Sequence, residues 1–146
     1  MAQIAPFPGA GMDRRTGKLL TGWAHVLQSL DVIFTTHFGQ RVMRRWFGSF
    51  VPKILGENMT PSTILRFWTA ICIAIDTWEP RYRVIRIVPQ ASSDQMIKGA
   101  IGFEIEGVYM PRGHLGDFTP EQDIRSIRVG GNASGLRVFS GSGAVS

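Results

Sequence analysis

From Trp23 to about Thr36 the apolar residues Trp23, Val26, Leu27, Leu30, Ile33 and Phe34 recur three and four apart, with Gln28, Ser29 and Asp31 on the other side. That is the period of one helical face. Gly39 stands where a left-handed residue would end such a helix. A second segment, Ile64 to Trp78, is apolar on nearly every face, which predicts a helix buried on most sides. Thr60 reads as its N-cap and Pro61 as its first helical residue. The pattern changes at Trp78-Glu79-Pro80-Arg81. Pro80 has no N–H to give a helix, and it pushes Glu79 into extended conformation. Tyr82–Val88 then reads as a strand. Gly99 to Met110 reads as a second, with Ile101, Phe103, Ile105 and Tyr109 on one face and Glu104 and Glu106 on the other.

The remaining stretches are less periodic. Residues 1–12 are Pro/Gly-rich and read as an irregular arm, with Phe7 between two prolines suited to pinning against a neighbour. Asp13–Gly17 is a turn, and Lys18–Gly22 a short strand or loop. Gln40–Phe50 alternates Arg41, Arg44 and Arg45 with Trp46 and Phe47, as a loop or short helix lying across a surface would; Val51–Gly56 is a further turn-bounded piece. Beyond Met110 the chain is Gly/Ser-rich, with short β-like runs at Ile127–Val129 and Leu136–Phe139. These form a small extra hairpin or a tail that orders against a partner. The expected fold is α+β: two main helices packed on one face of a small antiparallel sheet. The expected division is an arm (1–12), a main domain (13–112) and a C-terminal extension (113–146).

Composition removes several classes of function. A chain of 146 residues with 44% hydrophobic and 18% charged residues is that of an ordinary single globular domain. No signal pattern opens the chain and the longest apolar stretch is too short to span a bilayer, so the expectation is a soluble protein made in the cytoplasm, with no membrane partner. The single cysteine, Cys72, lies within the apolar helix and cannot form an intrachain disulfide. His25, His37 and His114 have no second His or Cys at ligand spacing, so neither a metal nor another cofactor is expected. The charge of +5 is uneven: residues 1–93 hold eleven Lys+Arg against five Asp+Glu, and residues 94–146 five against six. Without a long basic run or a nucleic-acid module, the basic half reads as a solvated face or protein interface.

Chemistry concentrates at the helix-to-strand corner. Residues two apart in extended chain share a side, so Glu79 and Arg81 should project together. They make either a compact two-sign docking point or a self-satisfied ion pair at a helix end. A muralytic hydrolase would need two carboxyls about 5–10 Å apart across a cleft. The candidates are Glu57, Asp76, Glu79, Glu104 and Glu106, and no flanking motif singles out a pair. A basic nucleic-acid adaptor could use Trp46, Phe47 and Phe50 to stack bases; core or interface roles suit those aromatics better.

Several blocks, in order, resemble the baseplate wedge protein W family, the sheath initiators of contractile phage tails and related injection machines. Gly22, Ala24-His25 and Gln28-Ser29 match the family's opening helix, and Ile33 and Thr36 its continuation. Gly39-Gln40-Arg41 is similar to its glycine–acid–arginine turn, with Gln40 where an acid is usual, and Phe47-Gly48-Ser49 to its F-G-S element. Trp78-Glu79-Pro80-Arg81 carries the E-P-R signature. The blocks cover roughly residues 13–110. The resemblance implies a virion baseplate component without enzymatic activity, its fold similar to the handshake region of the sheath subunit and its copies arranged six to a ring. Glu79, Pro80 and Arg81 would dock on the baseplate wedge core. The strands bearing Tyr82, Val84, Arg86, Val88, Ile101, Phe103 and Ile105 would accept extended arms of tail sheath subunits. Tail tube or hub proteins are further candidate partners.

Overall fold

The computed structural model describes residues 9–55, 57, 60–90, 101–132 and 135–141. Two short strands, β1 (Ala10–Met12) and β2 (Leu19–Thr21), pair antiparallel and lead into helix α1 (Gly22–Thr35). After the loop come a single helical turn, α2 (Val51–Ile54), and the long helix α3 (Pro61–Trp78). Four antiparallel strands follow: β3 (Tyr82–Pro89), β4 (Ile101–Tyr109), β5 (Ile124–Asn132) and β6 (Gly135–Ser140), in that spatial order. A 3-10 turn at Gly113–Leu115 lies between β4 and β5.

The helices form where the apolar pattern places them. In α1 Val26, Leu30, Ile33 and Phe34 are buried, with Trp23 and Leu27 packed at the margin. The Thr60 hydroxyl accepts the Thr63 N–H (3.2 Å) and Pro61 opens α3, as expected. Two readings change. α1 ends in an extended Thr36, and Gly39 takes its φ of +82° in a separate turn. α3 buries Phe67, Ile71, Ala74 and Ile75, with β3, α1 and α2 packed against it, but exposes Leu65 and Ile73 on its remaining face.

The sheet has four strands, two more than the pair read at Tyr82–Val88 and Gly99–Met110. Residues 113–146 supply β5 and β6: Ile101–Val108 of β4 pairs with Gly131–Ile124 of β5. Ile127, Val129 and Leu136 enter the core alongside Phe103 and Ile105. The expected boundary at residue 112 therefore falls between two strands paired in one sheet. β1 likewise lies in the segment read as an arm. Phe7, and the residues around Gly99 and Ala100 where the second strand was expected to begin, lie outside the described residues.

Close packing on the sheet depends on one glycine. The Tyr82 ring crosses Gly107 so tightly that a Cβ there would sit 2.6 Å from its Cζ. The Tyr82 hydroxyl then donates toward the carbonyls of Arg125 (2.9 Å) and Ile105 (3.1 Å). Trp23 packs on Tyr82 and Tyr109 with ring centroids 5.5 and 5.4 Å away, fixing the start of α1 to the sheet.

Candidate functional site at the helix-to-strand corner

α3 stops where Pro80 requires, and Glu79 is its C-cap, its N–H bonded to the Ile75 carbonyl (2.8 Å). Glu79 and Arg81 do share a side, yet that side faces the protein. The two residues are only 2% and 6% exposed, and of the three motif residues only Pro80 is exposed. The Arg81 guanidinium meets the carboxylate as a fork, Nε to Oε1 at 2.7 Å and Nη2 to Oε2 at 2.9 Å. Of the two readings left open, the structure takes the self-satisfied pair; the expectation that both side chains project as a docking point is corrected. The geometry explains why: the fork satisfies both oxygens at once, and the chain folds over the corner from two directions. Gly113 packs on the Pro80 carbonyl, and Gly9 lies against Arg81 Nη1.

The remaining guanidinium nitrogen, Nη1, lies 2.9 Å from His25 Nδ1. A guanidinium only donates, so Nδ1 is the acceptor and the ring is neutral, with its proton on Nε2. Burial holds the His25 pKa below its usual 6.5; the Arg81 charge lowers it further, Glu79 opposes, and His114 adds a small lowering. Gly11 of β1 packs on the same ring. Three residues later on α1, Gln28 accepts the Arg14 N–H and donates to the Met12 carbonyl, both at 2.9 Å, pinning the β1–β2 turn. Spacing along α1 could not reveal that His25 and Gln28 serve these two tasks, since both partners are remote in sequence.

The other motif residues converge on the same end of α3. Trp78 Nε1 donates to the Gly48 carbonyl (2.9 Å), and its ring stacks against Phe47 at 4.9 Å. Gly48 has a φ of +143°, and a Cβ on it would meet the backbone of Thr36, His37 and Phe38 at 2.8–2.9 Å. Ser49 donates through its hydroxyl to the Ile33 carbonyl and through its N–H to the Thr36 carbonyl, each at 2.9 Å. The F-G-S element thus ties the end of α1 to the end of α3. In the preceding turn, the Arg41 guanidinium lies 4.3 Å over the Phe47 ring, and the Gln40 side chain accepts the His37 N–H (2.9 Å). Gln40 thereby supplies a neutral acceptor at the position where the resemblance implies an acid. The tip of this loop stands out from the body, with Val42, Met43 and Trp46 exposed at 84, 87 and 67%.

The other sequence-predicted residues lie away from the corner. Tyr82 and Val84 start β3, and Arg86 makes an exposed bidentate pair with Glu106, Nε to Oε2 at 3.1 Å and Nη2 to Oε1 at 2.9 Å. Ile101, Phe103 and Ile105 lie in β4, which is paired on both sides and so has no free edge, contrary to expectation. Of the carboxylates considered for hydrolysis, Glu57 pairs with Arg66, Glu79 with Arg81 and Glu106 with Arg86, while Glu104 accepts from Gln90. Among the described residues no group of three or more His, Cys, Asp or Glu is placed to hold a metal, and no helix is long and apolar enough to cross a membrane.

A family model for baseplate wedge protein gp25 matches residues 21–110. The chain is 34% identical over 84 residues to baseplate protein W of Escherichia phage P2, a match spanning 58% of this chain and 73% of that one. Among solved structures it resembles a chain of the post-contraction pyocin R2 baseplate, with a TM-score of 0.59 and 30% identity over 69% of this chain and 98% of the other. A putative tail lysozyme from Geobacter sulfurreducens matches with a TM-score of 0.51 over 83% of this chain and 92% of that one. Its identity, 19%, makes that a likeness of fold.

Proposed function

The chain belongs to the baseplate wedge protein gp25 family, structural components of contractile-tail baseplates, and from that premise we propose that it docks on the wedge core and initiates the tail sheath. The observation that carries this reading is the convergence of the family's motif residues on one corner. They spend their polar groups internally and hold out an apolar loop. Val42, Met43 and Trp46, flanked by Arg41, Arg44 and Arg45, have the composition of an interface rather than of a monomer surface. Glu79 and Arg81 enter the wedge contact by fixing the exposed Pro80 and, through Trp78, the loop. The sheath side is a free edge of the four-stranded sheet, whose unpaired backbone groups can take an extended arm from a sheath subunit.

No catalytic role is proposed. The carboxylates that could serve a hydrolase are largely committed to arginines: Glu57 to Arg66, Glu79 to Arg81 and Glu106 to Arg86. The experiment is complementation of a tail lacking this chain with a Met43→Ser/Trp46→Ser variant, followed by negative-stain microscopy. The expected result is folded protein with no assembled baseplate. Normal tails from that variant would remove the loop from the wedge contact.

A further inference from the structure

The family segment ends at Met110, just past β4, and β5 and β6 lie beyond it. Alone, that segment would leave the far side of β4 open. In this chain the β5–β6 hairpin closes that side with its own strands and buries Ile127, Val129 and Leu136 in doing so. The sheet is left with two edges, β3 and β6, and they are not equivalent.

The outward backbone groups of each edge follow from the register. Gly141 N–H donates to the Ser126 carbonyl and Gln90 N–H to the Gly102 carbonyl, so both pairs belong to the hydrogen-bonded class. Alternation then turns Leu136, Val138 and Ser140 of β6 outward. On β3 it turns Ile87 and Pro89 outward, and the bond from Met110 N–H to the Arg81 carbonyl does the same for Tyr82 and Val84. β3 is a poor template. Its Tyr82 N–H is taken by the Glu79 carbonyl, Pro89 has no N–H, and a bulge between Val84 and Arg86 breaks the repeat. A bulge, a proline and edge charges are the usual means of blunting a strand against pairing. β6 has none of the first two: it runs in regular register from Gly135 to Ser140, about 20 Å of strand.

Beside β6 lies an open groove of about 620 Å³, walled by the β1–β2 turn (Asp13, Arg14, Arg15) and by Leu27, Gln28 and Asp31 of α1. Arg14, Arg15 and Arg137 line it with no carboxylate partner among the described residues. Asp13, which accepts the N–H groups of Arg15 and Thr16, and Asp31 set two carboxylates against these three guanidiniums, so the groove stays basic by one charge. We propose that the edge of β6, and not that of β3, is where this chain takes an added strand, and that the strand is an acidic extended segment of the sheath subunit. The assignment rests on the strand-addition reading above and adds the edge and the charge.

The test uses the full chain and the purified sheath subunit of the same machine. Ser140→Pro removes an outward N–H without touching a β5–β6 bond, and Ile87→Pro does the same on β3. Circular dichroism first confirms that both fold. Ser140→Pro should weaken sheath binding about tenfold, as loss of one or two backbone hydrogen bonds implies, while Ile87→Pro binds normally. Arg137→Glu should weaken it as well, and added salt should weaken the wild type. In the wild type, amide exchange at Leu136 and Val138 should slow when sheath is added, a readout independent of any variant. Loss with Ile87→Pro but not Ser140→Pro would overturn the edge assignment and leave strand addition standing. Normal binding by both would overturn strand addition itself.

Discussion

Replacing Arg81 by Met tests whether the corner is structural or a docking surface. In the folded chain the Glu79 carboxylate is 2% exposed and both oxygens are satisfied by one guanidinium, at 2.7 and 2.9 Å. Arg81→Met leaves that carboxylate buried without a partner, which typically costs about 3–5 kcal/mol. At about 3 °C per kcal/mol for a domain of this size, the midpoint should fall roughly 10–15 °C. His25 loses its donor too, but its ring is partly exposed and water can replace the bond. The double variant Glu79→Leu/Arg81→Met removes both charges and should recover most of the loss, because a buried pair is often replaceable by apolar side chains of similar volume. Urea unfolding of wild type, both singles and the double gives the coupling directly, with unchanged slopes as the check on two-state behaviour. An Arg81→Met loss below about 1 kcal/mol, the range of an exposed pair, would refute the reasoning.

Other outcomes follow from the same contacts. Arg86→Ala should cost less than about 1 kcal/mol, since Arg86 is largely exposed despite its bidentate contact with Glu106; urea unfolding checks it. Gly48→Ala should destabilise by several kcal/mol, on the order of 3, because it demands a positive φ and drives a methyl group into the Thr36–Phe38 backbone; the assay is the thermal midpoint. Lowering the pH below 6.5 should destabilise the fold, because the unfolded chain binds a proton that the folded His25 resists. That part of the stability is present above 6.5 and lost as pH falls toward the lowered folded pKa, and His25→Asn should flatten the slope. A chain ending at Arg112 should be insoluble or unfolded on expression, since it strips Ile127, Val129 and Leu136 from the core and opens the β4 edge.

What could be read in the sequence was local. Helix periodicity, the Thr60–Pro61 start and the Pro80 stop each depend on neighbours within a few residues, and each stands in the structure. The alternation of Ile101, Phe103 and Ile105 against Glu104 and Glu106 also assigns faces correctly. What could not be read was pairing at a distance. Residues 124–140 carry several glycines and few large apolar side chains, so their strands are specified mainly by β4 beside them. The sidedness of Glu79 and Arg81 was legible, but which way that side faces depends on Gly9, His25 and Gly113, from three other segments. For the same reason the link from Trp78 to Gly48, thirty residues apart, had no sequence signal beyond the joint presence of the two motifs.

The hydroxyl of Tyr82, donating across Gly107 toward the Arg125 carbonyl, has a consequence for biosynthesis. It joins the strand that opens the sheet to one made more than forty residues later, and Leu136 of β6 completes a core begun by α1. Contacts of such separation pay their loop-closure cost before they stabilise anything. α1 and α3 therefore emerge from the ribosome with their apolar faces uncovered, and the sheet that covers them closes only after Ser140 has left the exit tunnel. Folding of this chain is consequently late in its synthesis, and the interval before Ser140 emerges is when a chaperone has most to offer it.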